Sequence, residues 1–398
     1  MPKMVAKKLL CLMNKILSLT HTNPLVDARI LKTYEVIRSF NVPFLAIGIN
    51  RGYGVGEAKE DFYCIDTWTK KYVWKLVEKT SKFRYLRILL MFIVYIEAFI
   101  KILIKGYRFK PTIIHVNDWY VLPIAYLIKG PSKIKIIYDA HELESETNGI
   151  TNDMRKMVNL IEKSCWKKID YFITVSPSIL KWYKSKYEIN NSEIIMNSPQ
   201  IEKRNDFVDK EVYFREKYSI SQSCKIFLYL GNLERGRGIH EILGAFSKLP
   251  PKYVIVFMGT GSLENEILNY SSASNNIFVH KPVKHNEVTK IASSADFGIC
   301  LIENVSLSNY FCLPNKLFEN IFAGLPVIAS NFPDMGELIK KYGVGVIVEN
   351  SAEALAKAVE NIDSDSFKRE NFGYSKLFEL SWERQSEKIK SIYEKLLD

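Results

Sequence analysis

The sequence carries no Cys-x-x-Cys pair, no His–Cys spacing suited to a metal, and no Gly-Lys-Ser/Thr after a glycine-rich turn. Those absences exclude a zinc ribbon, a dithiol redox motif and a P-loop nucleotidase. The six cysteines (Cys11, Cys64, Cys165, Cys224, Cys300 and Cys312) are scattered singly, as thiols of a reduced, cytoplasmic protein would be. Long apolar runs are also missing. The longest charge-free run in the stretch YLRILLMFIVYIEAFIKILIKGYRFKP at 85–111 is Ile88–Ile96, whereas a spanning helix needs about 20 apolar residues. The start, MPKMVAKKLLCLMNKIL, has no long apolar core and no small-residue cleavage site, so it does not read as a signal peptide. Asp363-Ser364-Asp365 is spelled like a metal-binding Asp-x-Asp, but it lies late in the chain ahead of a helix. It reads as a capping loop. No metal and no cofactor are expected.

What is present fills two globular domains: 398 residues, 47% of them apolar and 25% charged. The positive charge is unevenly placed. Residues 1–110 hold 20 Lys and Arg against 8 Asp and Glu, 70–110 alone hold 11 against 2, and the rest of the chain holds 35 against 36. Such concentration points to a basic surface for an anionic partner. The pattern predicts a long amphipathic helix over 70–105, with Glu97 and Lys101 as a favourable i,i+4 pair. Two readings fit it: a buried crossover helix, or a helix lying on an anionic membrane surface. No nucleic-acid recognition motif accompanies the charge, so nucleic acid is not an expected partner.

Short apolar strands alternate with helical patterns along nearly the whole length, which predicts parallel sheets in α/β domains. Strands are expected near 15–20, 42–49, 112–117, 133–139, 170–175 and 193–196, and again near 225–230, 252–258, 276–280, 296–301, 326–329 and 344–348. The polar, aperiodic stretch 197–211 between the two sets reads as a linker. Two doubly wound, Rossmann-like domains facing across a cleft follow, over 1–200 and 201–382. Ligands of such folds bind beyond the carboxyl ends of the strands, so the loops there are the candidates for chemistry.

GNLERGRGIHEIL at 231–243 follows a strand and opens a helix. Its glycines and helix start can bring N–H groups to an anion, and Arg235 and Arg237 add charge; a plain surface turn is the competing reading. GTGSLENEI at 259–267 is a second glycine-rich turn of the same kind, whereas RGYGVGE at 51–57 has no apolar helix after it. In LPNKLFENIFAGLPVIAS at 313–330, Pro314 suits a helix start. Lys316 in the first turn opposes the helix dipole unless an anion sits at that end. Glu319, one turn deeper, is placed to accept hydrogen bonds from a ribose diol; a surface Lys–Glu pair is the alternative. In the first half, His141 directly follows its strand. HTNPLVDARILK at 21–32 opens a helix with Asp27 and Arg29 in its first turn, where Asp27 can serve as a cap.

Taken in order, NPLVDARILKTYEVI, IIHVNDW, YDAHEL, YFITVSPSI, YLGNLERGRGIHEI, FMGTGSLENEI, LPNKLFENIFAGLPVIAS and LSWERQSEKIKSIYEKLL resemble the GT-B glycosyltransferases of the large retaining family 4, over nearly the whole chain. The resemblance implies a second domain that binds a nucleoside-diphosphate sugar. Arg237 stands at the family's usual lysine and Asn232 at its arginine. Glu319 matches the second glutamate of the family's Glu–seven residues–Glu motif, and Phe311 stands where the first would be, as in a branch that carries Pro-Asn-Lys-Leu-Phe-Glu. By the same resemblance the donor is held by Gly231, Asn232, Arg235, Gly259, Gly261, Val283, Pro314, Asn315 and Glu319, and Arg237, Lys316 and His141 serve the transfer. Asn23, Asp27, Arg29, Asp118 and Glu142 fall on the acceptor side. The last helix, 383–398, resembles the one that crosses back to the first domain.

The expected activity is therefore sugar transfer with retention from a nucleotide sugar, with UDP as the first candidate, to a lipid-linked glycan acceptor. The acceptor class suits assembly of a bacterial envelope polysaccharide at the inner face of the cell membrane. Two other readings stay open: a UDP-sugar 2-epimerase of the same fold, and a non-catalytic partner subunit.

Overall fold

A computed structural model describes residues 14–50, 60–67, 84–200 and 212–397. The N-terminal segment, RGYGVGE, the 70–83 part of the basic region and most of the linker lie outside the described residues.

The first half builds a parallel sheet of seven strands: β1 Ile16–Leu19, β2 Phe44–Ile49, β3 Phe62–Ile65, β4 Ile113–Asn117, β5 Lys135–Ala140, β6 Tyr171–Thr174 and β7 Ser192–Ile194. Their order is β3-β2-β1-β4-β5-β6-β7. The second half builds a parallel sheet of six: β8 Lys225–Leu230, β9 Tyr253–Met258, β10 Ile277–His280, β11 Phe297–Cys300, β12 Val327–Ser330 and β13 Gly345–Val348, in the order β10-β9-β8-β11-β12-β13. Continuous apolar strands such as YVIVFM, buried at every position, are what a sheet covered by helices on both faces requires. β3 is an addition to the expected set. It is a four-residue edge strand whose pairing with β2 runs from Ala46–Phe62 to Ile49–Ile65, and it is too short for periodicity to reveal.

In each sheet the strand order reverses at one place, between β1 and β4 and between β8 and β11. The loops leaving those strands open onto a shared crevice, the usual ligand position in such sheets. Several contacts join the halves around it. The Ser176 hydroxyl donates to the Phe311 carbonyl (2.7 Å), and Ser178 gives its N–H and hydroxyl to the Asp334 carboxylate (3.0 and 2.8 Å). Phe311 and Leu307 pack against the core of the first half. Phe311, standing where the resemblance places a carboxylate, is thus an apolar contact between the halves.

The C-terminal helix Trp382–Leu397 returns to the first sheet. Trp382, Ile389, Ile392 and Tyr393 pack with Ile16, Ile113 and Ile137, and the Met196 N–H donates to Gln385 Oε1 (3.1 Å). Asp363 caps a short turn by accepting from the Asp365 N–H.

The long helix Arg84–Phe109 crosses from β3 to β4. It buries Ala98 and Ile102, yet exposes Phe92, Ile96, Ile100, Ile104 and Tyr107. Spacings of four and three put these on one stripe. The helix is therefore a crossover on one face and carries an uncovered apolar stripe on the other. Among the described residues no helix is long and apolar enough to cross a membrane.

Candidate functional site

The crevice is a cavity of about 600 Å³ lined from both halves. The first half supplies Asp27, Arg29, His141, Glu142 and Asn197; the second supplies Tyr229, Gly231, Asn232, Arg237, Asn309, Cys312 and the Pro314–Lys316 segment with Glu319.

Helix Asn315–Phe322 starts at the crevice, with Pro314 as its cap. Leu317, Phe318 and Ile321 are fully buried behind it, so the first turn is fixed at the cavity wall. The Leu317 N–H is taken by the Pro314 carbonyl (3.0 Å), and a helix start leaves the amides before it without helical partners. Lys316 and Glu319 do not pair with each other. The Lys316 ammonium donates to the Leu301 carbonyl (2.9 Å) and lies 4.1 Å from the centre of the Tyr229 ring. Burial, with Arg237 as a neighbouring cation, lowers its pKa to about 8. Two cations thus face one cavity at a helix N-terminus, an arrangement that favours a polyanion. Glu319 lines the same cavity, feels the charge of Lys32 from the first half and lies 3.9 Å from His285 Nδ1. Burial raises its carboxyl to about 7, with Lys32 opposing.

On the opposite wall His141 sits above two acids. Its Nε2 lies 3.5 Å from Asp139 Oδ2 and its Nδ1 lies 3.7 Å from Asp118 Oδ1. Burial disfavours the charged ring, but Asp139 and Asp118 outweigh it and raise the pKa. Asp139 is buried and held bidentately by Arg29 at 2.8 Å for each bond. His115 stands 3.4 Å from the same carboxylate and 2.7 Å from the Tyr393 hydroxyl. Asp118 has φ +73°, an unfavourable region for a residue with a side chain. Its Oδ2 lies 2.8 Å from His21 Nδ1. The result is an imidazole at the cavity wall whose protonated form two buried acids favour.

Several predicted site residues are engaged in other contacts or lie off the cavity wall. Arg29 is an interior residue: Asp139 and the Ile195 carbonyl (3.0 Å) take its guanidinium. Asn23 is buried, and its Oδ1 accepts from the Leu25 N–H and the Cys64 thiol. Asp27 lines the cavity and also caps helix Ala28–Arg38 through the N–H groups of Arg29 and Ile30. Arg235 is exposed and outside the cavity wall. Gly259 and Gly261 lie behind the donor loop. A Cβ on Gly259 would come within 1.9 Å of the Gly231 carbonyl oxygen, and one on Gly261 within 2.4 Å of that of Leu233. Both glycines are thus required by the close approach of two turns. Val283 packs against the cluster of Leu228, Met258 and Ala292.

Sequence reasoning missed Lys32, Tyr229 and Glu303. Lys32 reaches the cleft with its Nζ donating to Asn197 Oδ1 and the Ser198 carbonyl, both at 2.8 Å. Tyr229 donates to the Asn232 carbonyl (2.9 Å), which shapes the first turn. Glu303 Oε1 accepts from the N–H groups of Gly236 and Gly238, both at 3.1 Å. The glycine turn therefore spends those amides internally, where an external anion was expected. Tyr229 sits at an inward position of an apolar strand, so only its hydroxyl could have drawn notice. No group of three His, Cys, Asp or Glu side chains among the described residues is set to hold a metal ion.

Comparison with known proteins agrees with this geometry. The family description "Glycosyl transferases group 1" matches residues 213–376, and "Glycosyltransferase Family 4" matches 70–198. N-acetyl-alpha-D-glucosaminyl L-malate synthase of Bacillus anthracis is 23% identical over 303 residues, covering 71% of this chain and 73% of that protein. Chitobiosyldiphosphodolichol beta-mannosyltransferase of Candida albicans is 24% identical over 255 residues, or 58% of this chain and 54% of that one. Among solved structures, the Anabaena protein HepE in complex with UDP-glucose superposes with a TM-score of 0.68 at 11% identity, covering 96% of this chain and 99% of that one. The two matched halves, the paired parallel sheets and the crevice between them make the chain a GT-B glycosyltransferase of the group 1 and family 4 kind.

Proposed function

We propose that the chain transfers a sugar, with retention, from a nucleoside-diphosphate sugar to a lipid-linked glycan at the inner face of a bacterial cell membrane. One observation carries the reading. Arg237, Lys316 and the first turn of helix Asn315–Phe322 converge on one cavity, with Glu319 a turn deeper. A diphosphate fits the cations and helix amides, and a ribose diol fits the carboxylate. UDP is the first candidate nucleotide, since HepE and a trehalose-6-phosphate protein of E. coli were solved with UDP-sugars.

In this reading the bond from the anomeric carbon to the diphosphate oxygen breaks as the acceptor hydroxyl attacks from the same face. The hydroxyl proton passes to the departing diphosphate. Arg237, Lys316 and the helix amides stabilise the charge that develops, being in place beforehand. His141, on the cavity wall opposite, faces the sugar and donates a ring N–H hydrogen bond to it. The contacts between the halves exclude water, which would otherwise hydrolyse the donor.

The acceptor side rests on the long helix. Its apolar stripe, Phe92, Ile96, Ile100, Ile104 and Tyr107, is flanked by Lys105, Arg108 and Lys110, the composition of a helix that lies on an anionic membrane. One relative is named for a chitobiosyldiphosphodolichol substrate. The test is turnover of UDP-, GDP- and ADP-sugars with polyprenyl-diphosphate glycans in anionic vesicles. Transfer with retained anomeric configuration supports the reading. Epimerisation of UDP-N-acetylglucosamine in the absence of acceptor, or nucleotide binding without any transfer, overturns it.

A further inference from the structure

We infer that Glu303 is a positioning residue that holds Arg237 in the donor site by filling the anion nest of Arg237's own loop. The inference rests on the proposed role of Arg237 as a diphosphate ligand.

Arg237 lies between Gly236 and Gly238, whose φ angles are +83° and +73°. Successive N–H groups in such a conformation form a concavity that attracts an anion. Here the anion comes from the chain itself. One oxygen of Glu303 accepts both amides at 3.1 Å. The Glu303 N–H also donates to the Gly236 carbonyl (3.1 Å), so the residue grips the loop with backbone and side chain together. Its own carbonyl accepts from the Asn309 side chain (3.2 Å), and Asn309 lines the cavity. Glu303 follows β11 and the Arg237 loop follows β8, the two strands at the switch point of the second sheet. The clamp therefore ties the two loops that bracket the cavity.

The consequence is a division of labour. A phosphate oxygen cannot use the Gly236 and Gly238 amides while Glu303 occupies them. The diphosphate is left to the Arg237 guanidinium, the Lys316 ammonium and the helix at Asn315. With both flanking glycines pinned, the backbone of Arg237 has little freedom, and its side chain is directed to the cavity at low entropic cost. Glycine flanks without the clamp would let the loop sample many conformations.

The test is calorimetric titration of UDP, GDP and ADP into the full chain and four variants: Glu303→Ala, Glu303→Gln, Arg237→Ala and the double variant Arg237→Ala/Glu303→Ala. Glu303→Gln keeps an oxygen acceptor and stays within about twofold of wild type, whereas Glu303→Ala loses about tenfold in affinity for the best-bound nucleotide. Because Glu303 acts through Arg237, the double variant binds no more weakly than Arg237→Ala. Additive losses in the double variant, or wild-type affinity in Glu303→Ala, overturn the inference. Should Glu303→Ala fail to fold, Glu303→Asp keeps the charge and withdraws the oxygen from the amides; it must show the same loss, and unchanged affinity would count against the clamp. Failure of wild type to bind any of the three nucleotides refutes the donor-site reading itself, a result separate from anything the variants report.

Discussion

The Lys316 ammonium rests 4.1 Å from the centre of the Tyr229 ring, inside the second half and close to Arg237. A cation so placed is stabilised by the ring face and the Leu301 carbonyl, in a residue that lines the cavity. Its pKa of about 8 gives a sign to the pH dependence. The charge is present below pH 8 and lost above it, so nucleotide affinity falls as pH rises from 7 to 9. Lys316→Met flattens that profile and lowers kcat/KM about a hundredfold. Titration calorimetry across pH checks the first result and initial rates the second.

Glu319 is assigned to the ribose, not to the phosphates. Glu319→Ala weakens a nucleoside diphosphate by about tenfold, the effect of losing hydrogen bonds to a charged acceptor. It leaves inhibition by inorganic pyrophosphate unchanged. Competition assays with both inhibitors separate the two; equal weakening of both would move Glu319 to the phosphate site.

Arg29 is structural in this account. Asp139 is 2% exposed and its bidentate partner is Arg29. Arg29→Met strands a buried carboxylate and costs about 3–5 kcal/mol of stability in urea unfolding. Exposed pairs such as Lys368 and Glu370 show no such cost.

Glu162 sets a second pH dependence. Tyr138 and Tyr183 both donate to its Oε1, and its buried Oε2 has no partner. Burial raises its pKa from 4.5 to about 7. A carboxyl raised in the folded state contributes stability that is fully present below pH 4.5 and is lost as pH rises through 7. Over that window Glu162→Gln removes up to about 3 kcal/mol of the dependence, measured as unfolding midpoints at pH 4.5 and 7.5.

The alternation of apolar strands and helices already announces both sheets, and Pro314, Lys316 and Glu319 are legible because a helix start with a buried cation demands an anion. Arg237 is legible from its glycine-rich setting. What escaped depends on distance along the chain. Arg29 and Asp139 are 110 residues apart and Lys32 and Asn197 are 165 apart, so no local pattern tells that these cations are committed. Gly259 and Gly261 read as a phosphate turn, but the constraint on them is the neighbouring backbone of Gly231 and Leu233. Glu303 belongs to no motif. Its function arises only where β11 and β8 lie side by side.

The most direct measurement is the affinity of the full chain for UDP, GDP and ADP, compared between wild type and Arg237→Ala by titration calorimetry. One-to-one binding of at least one nucleoside diphosphate is expected, with a loss of about tenfold or more in the variant. Equal affinity in the two proteins would contradict the placement of the diphosphate between Arg237 and Lys316.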